Sequence, residues 1–174
     1  MEDLGQSEQR ILEAAEGWLG LGSWKHAEAE LEGIAHDRRG HREVLRVRWH
    51  VLAAQGAWVM AGQIARALCT TDPALPLGWV CLAHAAHRLN HTREARNLLL
   101  TIVDEFPNDY SIRYDLACYA CLLGNIGEAW CWLERAMALP HSKKLDRMAL
   151  QDPSLQSLWQ AMLRKPVVQA EPQG

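Results

Sequence analysis

Apolar residues recur along this chain at helical spacing, in short blocks that each end at glycine or a similarly permissive residue. Ile11, Leu12, Ala15, Trp18 and Leu19 fall on one face of a helix predicted over about Glu8 to Leu21. Gly22-Ser23 breaks that helix, and Ser23 is placed to cap a second one running to about Ala35. The same grammar recurs downstream. Thr92 is positioned to cap a helix reaching about Val103, and Asn125 with Glu128 fits a capping box. Asp72-Pro73 and Phe106-Pro107-Asn108-Asp109 end helices, because proline cannot continue the backbone hydrogen-bond ladder.

The blocks are periodic. Gly22, Gly56, Asn90 and Gly124 stand 34 residues apart, and each is followed five residues later by alanine: Ala27, Ala61, Ala95 and Ala129. Nine beyond each anchor come Leu31, Ala65, Leu99 and Leu133, and twelve beyond come Ile34, Leu68, Ile102 and Ala136. Four before each anchor stand Trp18, Leu52, Ala86 and Ala120, so large apolar residues alternate with small ones, as closely crossing helices require. A fixed period of this length is the signature of a helical solenoid, whose units bury their apolar faces against neighbours.

This pattern resembles the tetratricopeptide repeat, a family built of antiparallel helix pairs of this length. Its marks are a small residue at the turn, alanine five later, a bulky residue nine later and proline between units. The second unit matches closely, with Gly56-Ala57-Trp58, Ala61, Ala65, Leu68 and the Asp72-Pro73 ending. The third carries Trp79-Val80-Cys81-Leu82-Ala83, Ala95 and Phe106-Pro107-Asn108. The first departs most, with Arg39 where proline is expected. The resemblance implies an all-α, right-handed solenoid of four such pairs, at about 8–41, 42–75, 76–109 and 110–141. A flexible leader over 1–7 is expected ahead of them. Over 142–165, Leu145, Met148 and Ala149 suggest a short helix. Asp152-Pro153 then opens an amphipathic helix carrying Leu155, Leu158, Trp159, Met162 and Leu163. These capping helices cover the last repeat, as a solenoid end requires, and a disordered tail is expected over 166–174.

Composition adds restraint. The chain has 174 residues, 49% hydrophobic and 22% charged, with a formal net charge of −3. That balance argues against nucleic acid as the default partner, since affinity for phosphate comes from clustered Lys and Arg. The one basic run, Arg38-Arg39-Gly40-His41-Arg42 with Arg46 and Arg48, reads as a solvated loop and helix start. No stretch approaches the ~20 apolar residues needed to span a bilayer, and Met1-Glu2-Asp3-Leu4-Gly5 is unlike a secretory signal. The five cysteines, Cys69, Cys81, Cys118, Cys121 and Cys131, lack framework spacing and point to reduced thiols in a cytoplasmic setting.

In the family it resembles, the first helix of each unit lines a concave face. Carried over residue by residue, that face comprises Leu12, Glu13, Glu16 and Leu19, then Glu43, Arg46 and His50. From the third and fourth units come Leu77, Val80, Cys81, His84 and His87, followed by Tyr114, Asp115, Cys118 and Cys121. His84-x-x-His87 and Cys118-x-x-Cys121 occupy equivalent positions, and residues three apart share a helix face. Two imidazoles and two thiols are a zinc-type ligand set. Against a metal, helix axes lie ~8–10 Å apart, and packing thiols beside histidines in a wet groove is the commoner arrangement. No metal or cofactor is expected.

No phosphate-cradling glycine loop, GxSxG elbow or HExxH is present, and no catalytic residues are expected. The reading is a non-enzymatic scaffold that binds a protein or peptide segment in the groove, as monomer or homodimer. The family's chaperone-binding members use Lys, Asn and Arg to clamp a terminal carboxylate. The matching positions here are Leu12, Glu16, Val47, Leu77 and Cys81, which argues against that sub-type. Two rivals remain: a metal- or thiol-dependent protein using the His/Cys cluster, and self-association through the C-terminal helix and Trp130 or Trp132. Those two rings flank Cys131 and cannot both face the core, so one is expected on the convex surface or under the C-terminal helix.

Overall fold

The structure, a computed structural model, describes residues 3–140 and 145–164. Among them are ten α-helices and no strand: α1 Gln6–Gly20, α2 Trp24–Glu32, α3 Arg42–Gln55, α4 Trp58–Thr71 and α5 Leu77–Arg88. The others are α6 Thr92–Ile102, α7 Tyr110–Leu122, α8 Ile126–Met137, α9 Leu145–Gln151 and α10 Gln156–Arg164. Consecutive helices pack as the pairs α1/α2, α3/α4, α5/α6 and α7/α8. The protein divides into two compact units, Met1–Asp104 with the first three pairs and Glu105–Gly174 with the fourth pair and α9–α10.

The four anchors have one backbone geometry. Gly22, Gly56, Asn90 and Gly124 have φ of 73°, 75°, 67° and 82°, and they are the described residues in the left-handed region. Each closes a helix with the same two bonds. Ser23, Ala57, His91 and Asn125 donate their N–H to the carbonyls of Trp18, Leu52, Ala86 and Ala120 at 2.8–3.0 Å. The anchors donate to Leu19, Ala53, His87 and Cys121 at 2.9–3.1 Å. This is the Schellman arrangement, which needs a left-handed residue after the helix. Glycine adopts that conformation freely and asparagine tolerates it, so the 34-residue period is a period of helix ends. Proline takes no part in these four stops and falls after second helices instead: α4 ends at Thr71, with Pro73 beyond Asp72.

Behind each stop the periodic residues are interior. Ala27, Ala61, Ala95 and Ala129 are fully buried, and Leu31, Ala65, Leu99 and Leu133 are nearly so. In the first unit, Leu12, Ala15, Ala27, Leu31 and Ile34 pack with Val44, Val47 and Val51 of α3, which contacts both α1 and α2. Trp49 and Leu52 then join Ala61, Ala65, Cys81 and Ala85 across α3, α4 and α5. The approach of α5 to the end of α4 is close: a Cβ on Gly78 would stand 2.7 Å from the Cys69 nitrogen.

The leader is not loose where it is described. Leu4 is 8% exposed and belongs to the first pair's core, and the Gln9 amide donates to its carbonyl at 3.2 Å. Burying a leucine contributes about 1.5–3 kcal/mol, enough to tie down a short segment. Met1, Glu2 and the expected tail 166–174 lie outside the described residues.

Several caps also differ from expectation. Ser23 bonds His26 Nδ1 at 2.6 Å instead of the helix backbone, and Thr92 is the first residue of α6 and pairs with His87. Asn125 reaches only the Glu128 side chain, at 3.4 Å. Backbone capping comes from Asp109, His41 and Asp152.

In the second unit α10 packs against both α7 and α8, as α3 does against α1 and α2. It thus stands where the first helix of a following pair would stand. Its core joins Tyr114, Cys118 and Cys121 of α7 to Leu145, Ala149, Leu155 and Leu158. Trp130, Trp132 and Trp159 are half-buried against it, and Trp159 donates to the Ala149 carbonyl at 2.9 Å. Neither Trp130 nor Trp132 is left on an open surface. Arg135 covers Trp132 at 4.9 Å, and between the two rings it is Cys131 that is exposed.

Candidate interaction groove

In the first unit, the first-helix faces of α1 and α3 bound a groove of about 690 Å³. Leu12, Glu13 and Glu16 of α1 and Glu43 and Arg46 of α3 line it, with Asp3 and Leu4 before α1 and Asp72 after α4. Leu12, Glu16, Glu43 and Arg46 were expected there from sequence. Asp3, Leu4, Arg42 and Asp72 were not: Asp3 and Leu4 precede the repeats, Asp72 follows α4, and Arg42, at the start of α3, reads in sequence as part of a solvated basic run. Arg42 and Asp72, thirty residues apart with opposite charge, were the one available signal.

The arginines are held in place. Arg46 bridges Glu16 at 2.6 Å and Glu43 at 2.9 Å. Burial works against its charge, yet the hydrogen bonds to Glu43 and Glu16 outweigh it and raise the guanidinium above its ordinary value. Arg42 reaches Asp72 at 3.0 Å and Glu43 at 3.4 Å. Arg39 pairs with Glu32 and donates to the Ile34 carbonyl. Much of the basic run is therefore charge-compensated within the fold.

Further along, His50 is held below the usual imidazole value by desolvation, with the Arg46 charge second. His84 lies against Trp49 at 5.8 Å and Trp58 at 5.7 Å, and Arg88 stacks over Trp58 at 4.6 Å. Desolvation, then the neighbouring His87 and Arg88, depress His84. His87 shares a 2.9 Å bond with Thr92 and is lowered mainly by desolvation. All three imidazoles are thus shifted toward the neutral form. In that form they offer polar contacts without charge. Leu77 and Val80 are half-buried, and Cys81 is in the core.

The fourth pair differs. Tyr114, Cys118 and Cys121 are covered by the protein's own C-terminal segment and do not line an open surface. Tyr114 OH donates to Asp152 Oδ2 at 2.8 Å, and the Cys118 thiol points to the same oxygen at 3.6 Å. These donors, after a desolvation that works the other way, hold Asp152 below the usual carboxylate range. Burial pushes the Tyr114 hydroxyl and the Cys118 thiol up, so Cys118 is a protonated, unreactive thiol. Cys121 is also raised by burial, opposed by the N–H groups of Leu158 and Ser157. Asp115 is half-buried, and desolvation, then Asp109 and Asp152, push it up to about 7. The sequence identified Asp152 only as a helix cap. Its second role, accepting from α7, depends on tertiary packing that no local pattern records.

His84 and His87 belong to one compact unit and Cys118 and Cys121 to the other, and each pair has partners within its own unit. Among the described residues no group of three or more His, Cys, Asp or Glu side chains is arranged to hold a metal ion. All five cysteines are free thiols, and no described helix is long and apolar enough to cross a membrane. No protein-family model matches this chain, and no curated protein matches it.

Proposed function

We propose that this protein is a non-enzymatic interaction module of the tetratricopeptide type. It holds a segment of a partner protein against the first-helix faces of its first three pairs. The observation that carries the reading is the α1–α3 groove, which forms at Leu12, Glu16, Glu43 and Arg46. A right-handed solenoid and a cytoplasmic setting with reduced thiols belong to the same reading. A crystal structure tests the first, since it shows the sense of the helical stack directly. Affinity capture from the native cell extract tests the function, repeated with Arg46→Ala and His84→Ala. A partner lost with either variant, while thermal melting is unchanged, supports binding on this face. A partner retained by both moves binding elsewhere.

A second reading, self-association, is favoured by one observation. Met148, Leu150, Met162 and Leu163 of α9 and α10 are 50%, 69%, 42% and 87% exposed. Light scattering across a concentration series decides it, since a symmetric dimer through these helices gives a concentration-dependent mass.

A further inference from the structure

The charges lining the α1–α3 groove specify the chemistry of its occupant, an inference that rests on the groove reading above. Five carboxylates, Asp3, Glu13, Glu16, Glu43 and Asp72, stand there against two guanidiniums, Arg42 and Arg46. That excess of three negative charges equals the formal net charge of −3 of the whole protein, so the remainder is balanced. Both guanidiniums are already engaged, Arg46 by Glu16 and Glu43 and Arg42 by Asp72 and Glu43. An incoming anion would find no uncommitted guanidinium among the described residues of the groove. Asp3 and Glu13, by contrast, have no ion pair among the described residues.

We infer that the α1–α3 groove docks an extended segment of a partner protein that carries lysine or arginine beside apolar residues. Long cationic side chains suit it, because their aliphatic stems can lie along Leu4 and Leu12 while the charged heads reach Asp3 and Glu13. Complementary charge of this kind fixes the register of the segment and speeds its capture.

The test uses the full chain and two end-blocked peptides of equal length with the same leucines. One carries lysine and the other glutamate at alternate positions. The lysine peptide is expected to shift backbone amide resonances of α1 and α3 and to bind at least tenfold more tightly. Its affinity should fall with added salt. Asp3→Asn with Glu13→Gln should weaken it by about two- to fivefold per carboxylate, whereas Asp104→Asn with Glu105→Gln, the same charge change outside the groove, should not. Equal or tighter binding of the glutamate peptide at α1 and α3 overturns the charge assignment and leaves the groove reading standing. Binding that maps to α2, α4 or α6 overturns the groove reading as well. Binding of neither peptide overturns the charge assignment, and the extract capture then judges the groove alone. Spermidine displacing the lysine peptide at equal concentration would replace a protein partner by a polyamine and overturn the assignment.

Discussion

Gly124 and Gly127 lie three residues apart and do opposite things. Gly124 has φ 82° with open space around its Cα, so alanine there clashes with nothing but its own backbone. Gly124→Ala should cost about 1–2 kcal/mol. Gly127 sits inside α8, also in open space, and Gly127→Ala should stabilise by up to about 1 kcal/mol. Thermal melts of the two variants should therefore move in opposite directions. Equal effects would mean that the left-handed stop is not what fixes position 124. Asp115 gives a second residue-scale prediction. Its folded pKa of about 7 is raised above the ordinary carboxylate value. Its contribution is present in full below about pH 4 and lost as pH rises through 7. Asp115→Asn should raise the melting temperature by a few degrees at pH 8 and by little at pH 4. A uniform shift at both pH values would show that ionisation is not the cause. Asp152, with its lowered value, acts in the reverse sense and adds stability that fades only in acid.

At the scale of elements, sequence and structure agree where one residue has one possible partner and part where several compete. The helix ends were legible because only glycine or asparagine fits the left-handed position, and the buried ladder from Ala27 to Ala136 followed from the same register. The caps were less legible. Ser23 has a histidine within reach and takes it, while His41, not an expected cap, accepts from the Glu43 N–H. A cap over the last pair was legible, but that it would close off Tyr114 and Cys118 was not. That closing depends on Asp152, Leu155 and Leu158 reaching α7 from more than thirty residues away. Leu155 is fully buried at the turn into α10. Leu155→Ala should cost about 2–5 kcal/mol and raise the reactivity of Cys118 and Cys121 toward a thiol reagent as the segment loosens. Unchanged thiol reactivity would show that the C-terminal segment covers those thiols without depending on Leu155.

At the scale of the molecule, the all-helical class and the packing of consecutive helices in pairs were readable from the period, and part of the groove lining was readable with them. Leu12, Glu16, Glu43 and Arg46 hold repeat positions, so the register carried them. Asp3 and Leu4 complete the groove from a segment outside the repeats, and Asp72 from a unit ending that the register marked only as a helix stop. The central claim is that a guest segment lies against α1 and α3. Amide hydrogen exchange of the full chain, measured with and without its captured partner, tests it most directly. The account predicts slowed exchange in the groove-lining turns of α1 and α3 on binding, with α2 and α4 unchanged. Slowing confined to the second helices, or to α9 and α10, would contradict it.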